Sequence, residues 1–100
     1  MNGKNPQTPK YTLELSQKAQ ADLDFFRKTG SAKLVDKIIT LFSELELHPK
    51  TGTGKPKQLT DDLSGYWSRR IDQKHRMIYK ILDNVVTVEV VSLKGHYSDK

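Results

Sequence analysis

The sequence predicts an α+β domain in which two helices cover one face of an antiparallel sheet. Three observations predict this fold. The first is a short segment in which apolar and polar residues alternate, and the second is a pair of segments with apolar residues at helical spacing. The third is a set of three segments rich in β-branched and aromatic residues, separated by short polar turns. Consecutive helices of this kind form a hairpin, and three consecutive strands form an antiparallel meander. One hundred residues provide for about one such domain.

Each predicted element has local start and stop signals. Residues 11–15 alternate apolar and polar side chains and predict the first strand. Ser16 is suited to cap the first helix and Gly30 to end it, while Ser31 is suited to cap a second helix that ends at His48, ahead of a proline. The strands of the meander are predicted at residues 65–71, 76–82 and 85–93. Because the helices can cover only one face of this sheet, we expect basic strand residues to project from the other.

The chain divides into a leader, a domain and a tail. Residues 1–10 contain two prolines and several polar residues with nothing to bury, so we expect a disordered leader. Residues 11–97 form the predicted domain, and residues 98–100 form the tail. The sequence has no cysteine, no signal peptide and no apolar segment of membrane-spanning length. We therefore expect a cytoplasmic protein without disulfides or membrane association.

The positive charge is concentrated in one third of the sequence. The chain has a net charge of +5, and residues 48–80 contain eight Lys or Arg against three Asp, which accounts for the whole excess. Such a concentration is typical of a surface that binds nucleic acid, although a solvated lysine-rich loop has the same composition.

The arginines of the meander are candidates for phosphate binding. Arg69 and Arg70 are adjacent in a strand and point to opposite faces, so at most one of them lies on the open face. Arg76 begins the next strand and can stand beside whichever arginine shares its face, which would form a paired-guanidinium site for a phosphate. Salt bridges to nearby aspartates are the alternative for these arginines.

Trp67 and His96 each have a structural and a functional interpretation. Trp67 could stack on a nucleobase, but a tryptophan in a strand is more often part of the core. His96 is followed by Tyr97 at the end of the last strand, and no second histidine is placed to complete an acid–base pair with it. The three histidines are scattered and have no carboxylates at ligand spacing, so no metal or other cofactor is expected.

A resemblance to a known family extends over residues 11–97. It is carried by GKPKQL at residues 54–59, LSGYWSRRI at 63–71, HRMIY at 75–79 and the terminal pair His96-Tyr97. In order and spacing these motifs resemble the YoeB branch of the RelE/ParE superfamily of toxins from type II toxin–antitoxin systems. The resemblance implies a RelE-like domain, with the N-terminal strand and helical hairpin packed on one face of the sheet.

The resemblance also implies a metal-independent endoribonuclease that cuts mRNA in the ribosomal A site and so inhibits translation. In such toxins the ribose 2′-hydroxyl attacks the adjacent phosphate and leaves a cyclic phosphate and a free 5′-hydroxyl. The implied partners are the ribosome, its mRNA and a cognate antitoxin of the YefM/Phd-like or RelB-like type. The assembly would be a toxin–antitoxin complex or a homodimer.

The family motifs assign roles to individual residues of this chain. Arg76 matches the arginine that stabilises the phosphate, His96 the histidine proposed to protonate the leaving oxygen, and Tyr97 the tyrosine that orients or stacks on the substrate. Arg70 matches a strand arginine that contacts RNA. The expected RNA-binding set is Lys55, Arg69, Arg70 and Lys74.

Lys57 departs from the family pattern, because the motif carries a glutamate, the expected general base, at this position. A protonated lysine cannot accept a proton, which leaves three alternatives. In the first, Lys57 stabilises the phosphorane as an ammonium ion, and His96 or the ribosome transfers the protons. In the second, Asp61 or Asp62 substitutes as the base. In the third, the chain binds the ribosome but cleaves poorly, and acts mainly as an antitoxin-bound co-repressor. We favour the first, because electrostatic stabilisation is usually the larger catalytic contribution.

Overall fold

The structure is a computed structural model and describes residues 10–95. His96, Tyr97, the predicted tail and all of the predicted leader except Lys10 lie outside the described residues. The two helices are α1 (Gln17–Thr29) and α2 (Ala32–Leu47). The five strands are β1 (Thr12–Leu15), β2 (Lys57–Gln58), β3 (Trp67–Arg70), β4 (Arg76–Leu82) and β5 (Thr87–Ser92).

The strands form one sheet in the order β1-β5-β4-β3-β2. β3, β4 and β5 are the predicted antiparallel meander, and the α+β fold class is confirmed. The structure adds two features. β1 pairs with β5 in parallel, which makes the sheet mixed, and β2 is a two-residue edge strand paired with β3. β2 was not predicted because Lys57 and Gln58 show no alternation of apolar and polar side chains.

Both helices begin and end at the predicted signals. The hydroxyl of Ser16 accepts the N–H of Ala19 at 3.0 Å, and the hydroxyl of Ser31 accepts the N–H of Leu34 at 3.1 Å. These bonds satisfy N–H groups that lack a partner within the first helical turn. Helix α1 ends ahead of Gly30, so the two helices form the predicted hairpin.

The core lies between the helices and one face of the sheet. Tyr79, in the middle of β4, is fully buried there. Neither helix of the described part is long and apolar enough to cross a membrane. The most deeply buried apolar residues are Ala19, Ile38, Leu41, Leu45, Met77, Val88, Val90 and Leu93.

Replacing Ser31 with alanine is expected to lower the free energy of unfolding by about 1 kcal/mol, because the N–H of Leu34 loses its acceptor. Urea denaturation followed by circular dichroism measures this change. Ser43→Ala is the control, because Ser43 is exposed in the same helix and caps nothing. Equal stability of Ser31→Ala and wild type would contradict the capping role.

Candidate active site

The sheet face that points away from the helices carries basic residues of the meander. Cross-strand register shows which residues share this face, and it places Arg70 directly opposite Arg76. Lys57 of β2 lies opposite Ser68 and so extends the same face. The prediction of a basic open face is confirmed for both strands that flank the turn at residues 72–75.

A cleft of about 150 Å³ opens on this face between β2, β3, β4 and the preceding loop. Four of the residues that line it are cations, and none is a carboxylate; we call it the basic cleft. Among residues 10–95, no ion pair involves any of these four cations. Like charges placed directly opposite each other destabilise a sheet, so a group of cations without neutralising partners is typical of an anion-binding site. The lining residues are Gly54, Lys55, Lys57, Leu59, Ser68, Arg70, Arg76 and Ile78.

Arg76 is oriented by the turn that precedes it. Its Nη1 donates to the carbonyl oxygens of Asp72 at 3.1 Å and His75 at 3.3 Å. The turn itself is closed by the Asp72 carboxylate, which accepts the main-chain N–H groups of Lys74 at 2.8 Å and His75 at 2.6 Å. One edge of the guanidinium is therefore fixed by main-chain oxygens, and its remaining donors are available to an anion in the basic cleft.

The loop before β2 forms the other wall of the basic cleft. The carbonyl of Gly54 accepts the N–H of Arg70 at 2.7 Å, which ties the loop to β3. Lys55 follows in the left-handed region with φ 52°, a conformation that is unusual for a residue other than glycine. The expected site residues Lys55, Lys57, Arg70 and Arg76 are therefore brought together by the fold.

Arg69 requires a correction. It was expected to bind RNA, but its side chain is fully buried on the helix side of the sheet. Its guanidinium forms an ion pair with Glu44, with 2.7 Å between Nη1 and Oε1. The two adjacent arginines point to opposite faces as predicted, and the sequence did not reveal which of them is buried.

Lys74, Asp61 and Asp62 lie outside the basic cleft. Lys74 is exposed in the turn between β3 and β4, and both aspartates are exposed in a short 3-10 turn at Asp61–Leu63. Trp67 packs against the core and stacks on Tyr79, with 6.4 Å between ring centroids, which supports its structural interpretation.

The chain that leads to His96 is anchored beside Arg76. The carboxylate of Asp22, in α1, accepts the N–H groups of Leu93 at 2.9 Å and Lys94 at 3.0 Å. The carbonyl of Gly95 then accepts the N–H of Arg76 at 3.0 Å. His96 and Tyr97 themselves lie outside the described residues. Sequence reasoning missed this anchor, although a carboxylate at core spacing in an amphipathic helix is a signal that could have indicated it.

His75 also belongs to this anchor, although no sequence pattern assigns it a function. Its Nδ1 accepts the N–H of Gly95 at 3.1 Å, and its ring lies edge-on to Phe26 with 5.0 Å between centroids. Two side chains from distant parts of the sequence therefore hold the same three-residue segment, 93–95.

The anchor predicts a pH dependence of stability. Burial by itself would raise the pKa of Asp22, but hydrogen bonds from Lys18 and from the N–H groups of Leu93 and Lys94 outweigh it and lower the pKa. Because the folded-state pKa lies below the ordinary value of 3.8, this stabilisation is complete above that value and is lost as pH falls through the lower folded-state pKa.

Asp22→Asn is expected to lower the free energy of unfolding at neutral pH by about 2 kcal/mol, with the difference from wild type shrinking as the medium is acidified. Urea denaturation at a series of pH values down to about 3 measures both effects. The control is Asp24→Asn, since Asp24 is exposed on the same helix. A difference that stays constant with pH would contradict the role of the charge.

A family model described as a YoeB-like toxin of bacterial type II toxin-antitoxin systems matches residues 15–97. The chain belongs to this family. The YoeB branch indicated by the sequence motifs is therefore confirmed. Toxin YoeB from Mycobacterium bovis is 45% identical to this YoeB-like chain over 72 residues, which are 72% of this chain and 80% of the relative.

Solved structures of YoeB toxins share the fold. A YoeB/ParE toxin from Agrobacterium tumefaciens aligns with a TM-score of 0.80 and 35% identity, covering 86% of this chain and 99% of that one. A chain of the YoeB-YefM complex from Staphylococcus aureus aligns with a TM-score of 0.74 and 34% identity, covering 87% and 98%. The RelE-like fold of this YoeB-like toxin is thus confirmed.

Proposed function

We propose that this toxin is a ribosome-dependent endoribonuclease that cuts mRNA in the A site by a metal-independent mechanism and so stops translation. The observation that carries the proposal is the basic cleft, in which four cations converge without a neutralising carboxylate. Such a site suits the phosphate of an RNA backbone, and the pentacoordinate transition state of phosphoryl transfer carries more negative charge than the ground state. We place this activity in the cytoplasm, where the ribosomes are.

In the proposed reaction the ribose 2′-hydroxyl gives its proton to a base on the ribosome or to water, and its oxygen forms a bond to the adjacent phosphorus. The bond from phosphorus to the 5′-oxygen then breaks, and that oxygen takes up a proton. The products are a 2′,3′-cyclic phosphate and a 5′-hydroxyl. Arg70 and Arg76 hold the non-bridging oxygens from two neighbouring strands, which is the arrangement that a paired-guanidinium clamp requires.

Lys55 and Lys57 add positive charge where the transition state gains negative charge. His96 protonates the leaving oxygen, and Tyr97 orients the substrate; the anchored segment 93–95 supports these two roles because it lies next to Arg76. Lys74, exposed at the turn, contributes to RNA binding through longer-range attraction. Asp61 and Asp62 are unsuitable as the base that takes the 2′-hydroxyl proton, because neither lines the basic cleft.

The second candidate function is ribosome binding with weak or lost cleavage, in which the chain acts mainly as an antitoxin-bound co-repressor. It is favoured by one observation. Lys57 lines the cleft at the position where the family motif has a glutamate, and none of the other lining residues is a carboxylate that could replace it as the base.

One experiment distinguishes the two candidates. Purified protein is added to ribosomes translating a defined mRNA, and the ends of the RNA fragments are mapped and chemically identified. The enzyme produces fragments with a 2′,3′-cyclic phosphate, and a 2′-deoxy substitution at the scissile nucleotide abolishes cleavage. Co-sedimentation with ribosomes while the mRNA stays intact would establish the binding function instead.

The proposed protein partner is a YefM/Phd-like or RelB-like antitoxin. The similar S. aureus chain comes from a complex of YoeB with YefM, and a basic cleft is complementary to an acidic segment that orders on binding. The assembly is proposed to be a toxin–antitoxin heterocomplex, with a homodimer as the alternative. Co-expression with the short neighbouring reading frame, followed by copurification and size measurement, tests this partner.

A further inference from the structure

Behind the basic cleft, the guanidinium of Arg69 is enclosed by acceptors that match all five of its N–H donors. Its side chain is fully buried, so none of these donors is available to RNA. Nη1 donates to Glu44 Oε1 at 2.7 Å and to the Thr53 carbonyl at 3.2 Å. Nη2 donates to the carbonyl oxygens of His48 at 2.9 Å and Thr51 at 2.6 Å. Nε donates to the Tyr79 hydroxyl at 3.2 Å.

Three of these acceptors are main-chain carbonyls of one segment, residues 48–56, which we call the clamp loop. Glu44 binds the same loop, because its Oε1 also accepts the N–H of Thr53 at 2.7 Å. Thr53 is therefore held at both its N–H and its C=O group by the Arg69–Glu44 ion pair. The peptide units on both sides of Thr53 are fixed immediately before Gly54 and Lys55.

The clamp loop has a backbone that needs such support. Gly52, Gly54 and Lys55 all have positive φ, at 117°, 86° and 52°. For lysine this conformation costs roughly 1–2 kcal/mol. A Cβ added at Gly52 would collide with Glu44 Oε1, and one at Gly54 would lie 2.9 Å from the carbonyl oxygen of Arg70. Residues 50–53 are exposed, and the ion pair holds them by two hydrogen bonds to Thr53 and one to Thr51, in addition to the contacts between Thr51 and His48.

The clamp loop supplies cations to the basic cleft. Lys55 follows the clamped peptide directly, and Lys57 begins β2 beyond it. The alternation of β3 places Arg69 behind the sheet and Arg70 in front of it, while the N–H of Arg70 binds the carbonyl of Gly54. One strand therefore fixes both the loop and the arginine that faces the cleft.

We propose that Arg69 and Glu44 are a positioning pair that sets the conformation of the clamp loop and thereby brings Lys55 to the RNA phosphate. The inference rests on the proposed function, since it requires that the basic cleft binds RNA. Neither residue touches the substrate; both act through the main chain of residues 51–55.

The geometry makes a guanidinium necessary at this position. A lysine has three donors on a single nitrogen and cannot reach acceptors spread across five directions, so Arg69→Lys keeps the charge but loses most of the loop contacts. Glu44→Gln is a milder change, because its amide oxygen can still accept the N–H of Thr53 while the ion pair is lost.

A double-mutant cycle tests the proposal by binding rather than cleavage. The probe is a ribosome programmed with an mRNA whose A-site codon carries 2′-O-methyl groups, and its affinity for the toxin is measured at a fixed salt concentration. Lys55→Ala is expected to weaken binding about tenfold in the wild-type background, as expected for one charged hydrogen bond. In the Arg69→Lys background it is expected to weaken binding by no more than about twofold, because Lys55 is no longer positioned.

Lys50→Ala is the matched control, since Lys50 is an exposed lysine of the same loop that does not line the basic cleft. Its small effect is expected to be equal in both backgrounds. Each variant is first checked for cooperative thermal unfolding, and if Arg69→Lys fails to fold, Glu44→Gln carries the same cycle. Loss of folding in both would assign the pair to fold stability alone and overturn the proposal.

The outcomes separate this proposal from the proposed function. A full tenfold effect of Lys55→Ala in both backgrounds would overturn the positioning role while leaving RNA binding by the cleft intact. Lack of measurable binding of the wild-type toxin to the programmed ribosome would overturn the proposed function itself, whereas normal binding that Lys55→Ala does not weaken would overturn the positioning role. If the effects of Lys55→Ala and Arg69→Lys are non-additive while those of Lys50→Ala and Arg69→Lys are additive, the positioning pair is supported.

Discussion

Replacing Arg76 with alanine is expected to reduce the rate of mRNA cleavage on the ribosome by about a hundredfold or more, because a pre-oriented cation is removed from the developing phosphorane. Its guanidinium is held by two carbonyl oxygens and faces Arg70 across the sheet. The loss should appear in the single-turnover rate, since stabilisation of the transition state is what is removed. Arg76→Lys should recover only part of it, because an ammonium lacks the planar fork.

Arg27→Ala serves as the control for general loss of positive charge. Arg27 is exposed near the end of α1 and is not part of the basic cleft. Its removal should leave the cleavage rate within about threefold of wild type, because exposed charges at a distance are largely screened by salt. An Arg76→Ala protein that is folded and cleaves at the wild-type rate would remove Arg76 from the mechanism.

Replacing Lys57 with glutamine is expected to reduce cleavage by about a hundredfold, because Lys57 is proposed to act as a stabilising cation in place of the family's carboxylate. It lies in β2 beside Ser68 and lines the basic cleft with Arg70 and Arg76. Lys57→Glu should be at least as inactive, since it places a negative charge where the transition state gains one. Lys57→Arg is the matched control, which keeps the charge and should retain most of the activity.

Growth assays without the antitoxin give the same test in cells. If Lys57→Glu arrests growth and wild type does not, Lys57 marks the loss of a general base and the chain is a ribosome-binding protein with weak cleavage. Toxicity of wild type together with loss of toxicity in Lys57→Glu would support the lysine-based site.

Local signals in the sequence were sufficient for the helices and for the meander. Ser16, Ser31 and Gly30 act within one turn of their own position, so the helix ends could be predicted without tertiary information. The pairing of β1 with β5 joins residues from the two ends of the described chain, and no local signal encodes it. β2 is held mainly by its neighbour β3, and its own side chains carry no strand signal.

The site shows the same division between local and long-range information. That Arg69 and Arg70 face opposite ways follows from the geometry of a strand, but the face that is buried depends on where the helices pack. Glu44 could not be connected with Arg69 because 25 positions separate them along the chain. Asp22 and His75 were missed for the same reason, since each acts on residues 93–95 from a distant element.

The parallel pairing of β1 with β5 determines when the chain can fold relative to its translation. β1 hydrogen-bonds to a strand that is translated near the end of the described chain, at Thr87–Ser92. While the chain is still being made, β1 and both helices lack the sheet that buries their apolar side chains. Folding must therefore follow translation of β5, and topologies that depend on such distant contacts fold slowly. The sheet of this toxin can therefore assemble only after β5 has emerged from the ribosome that makes it, later than both helices.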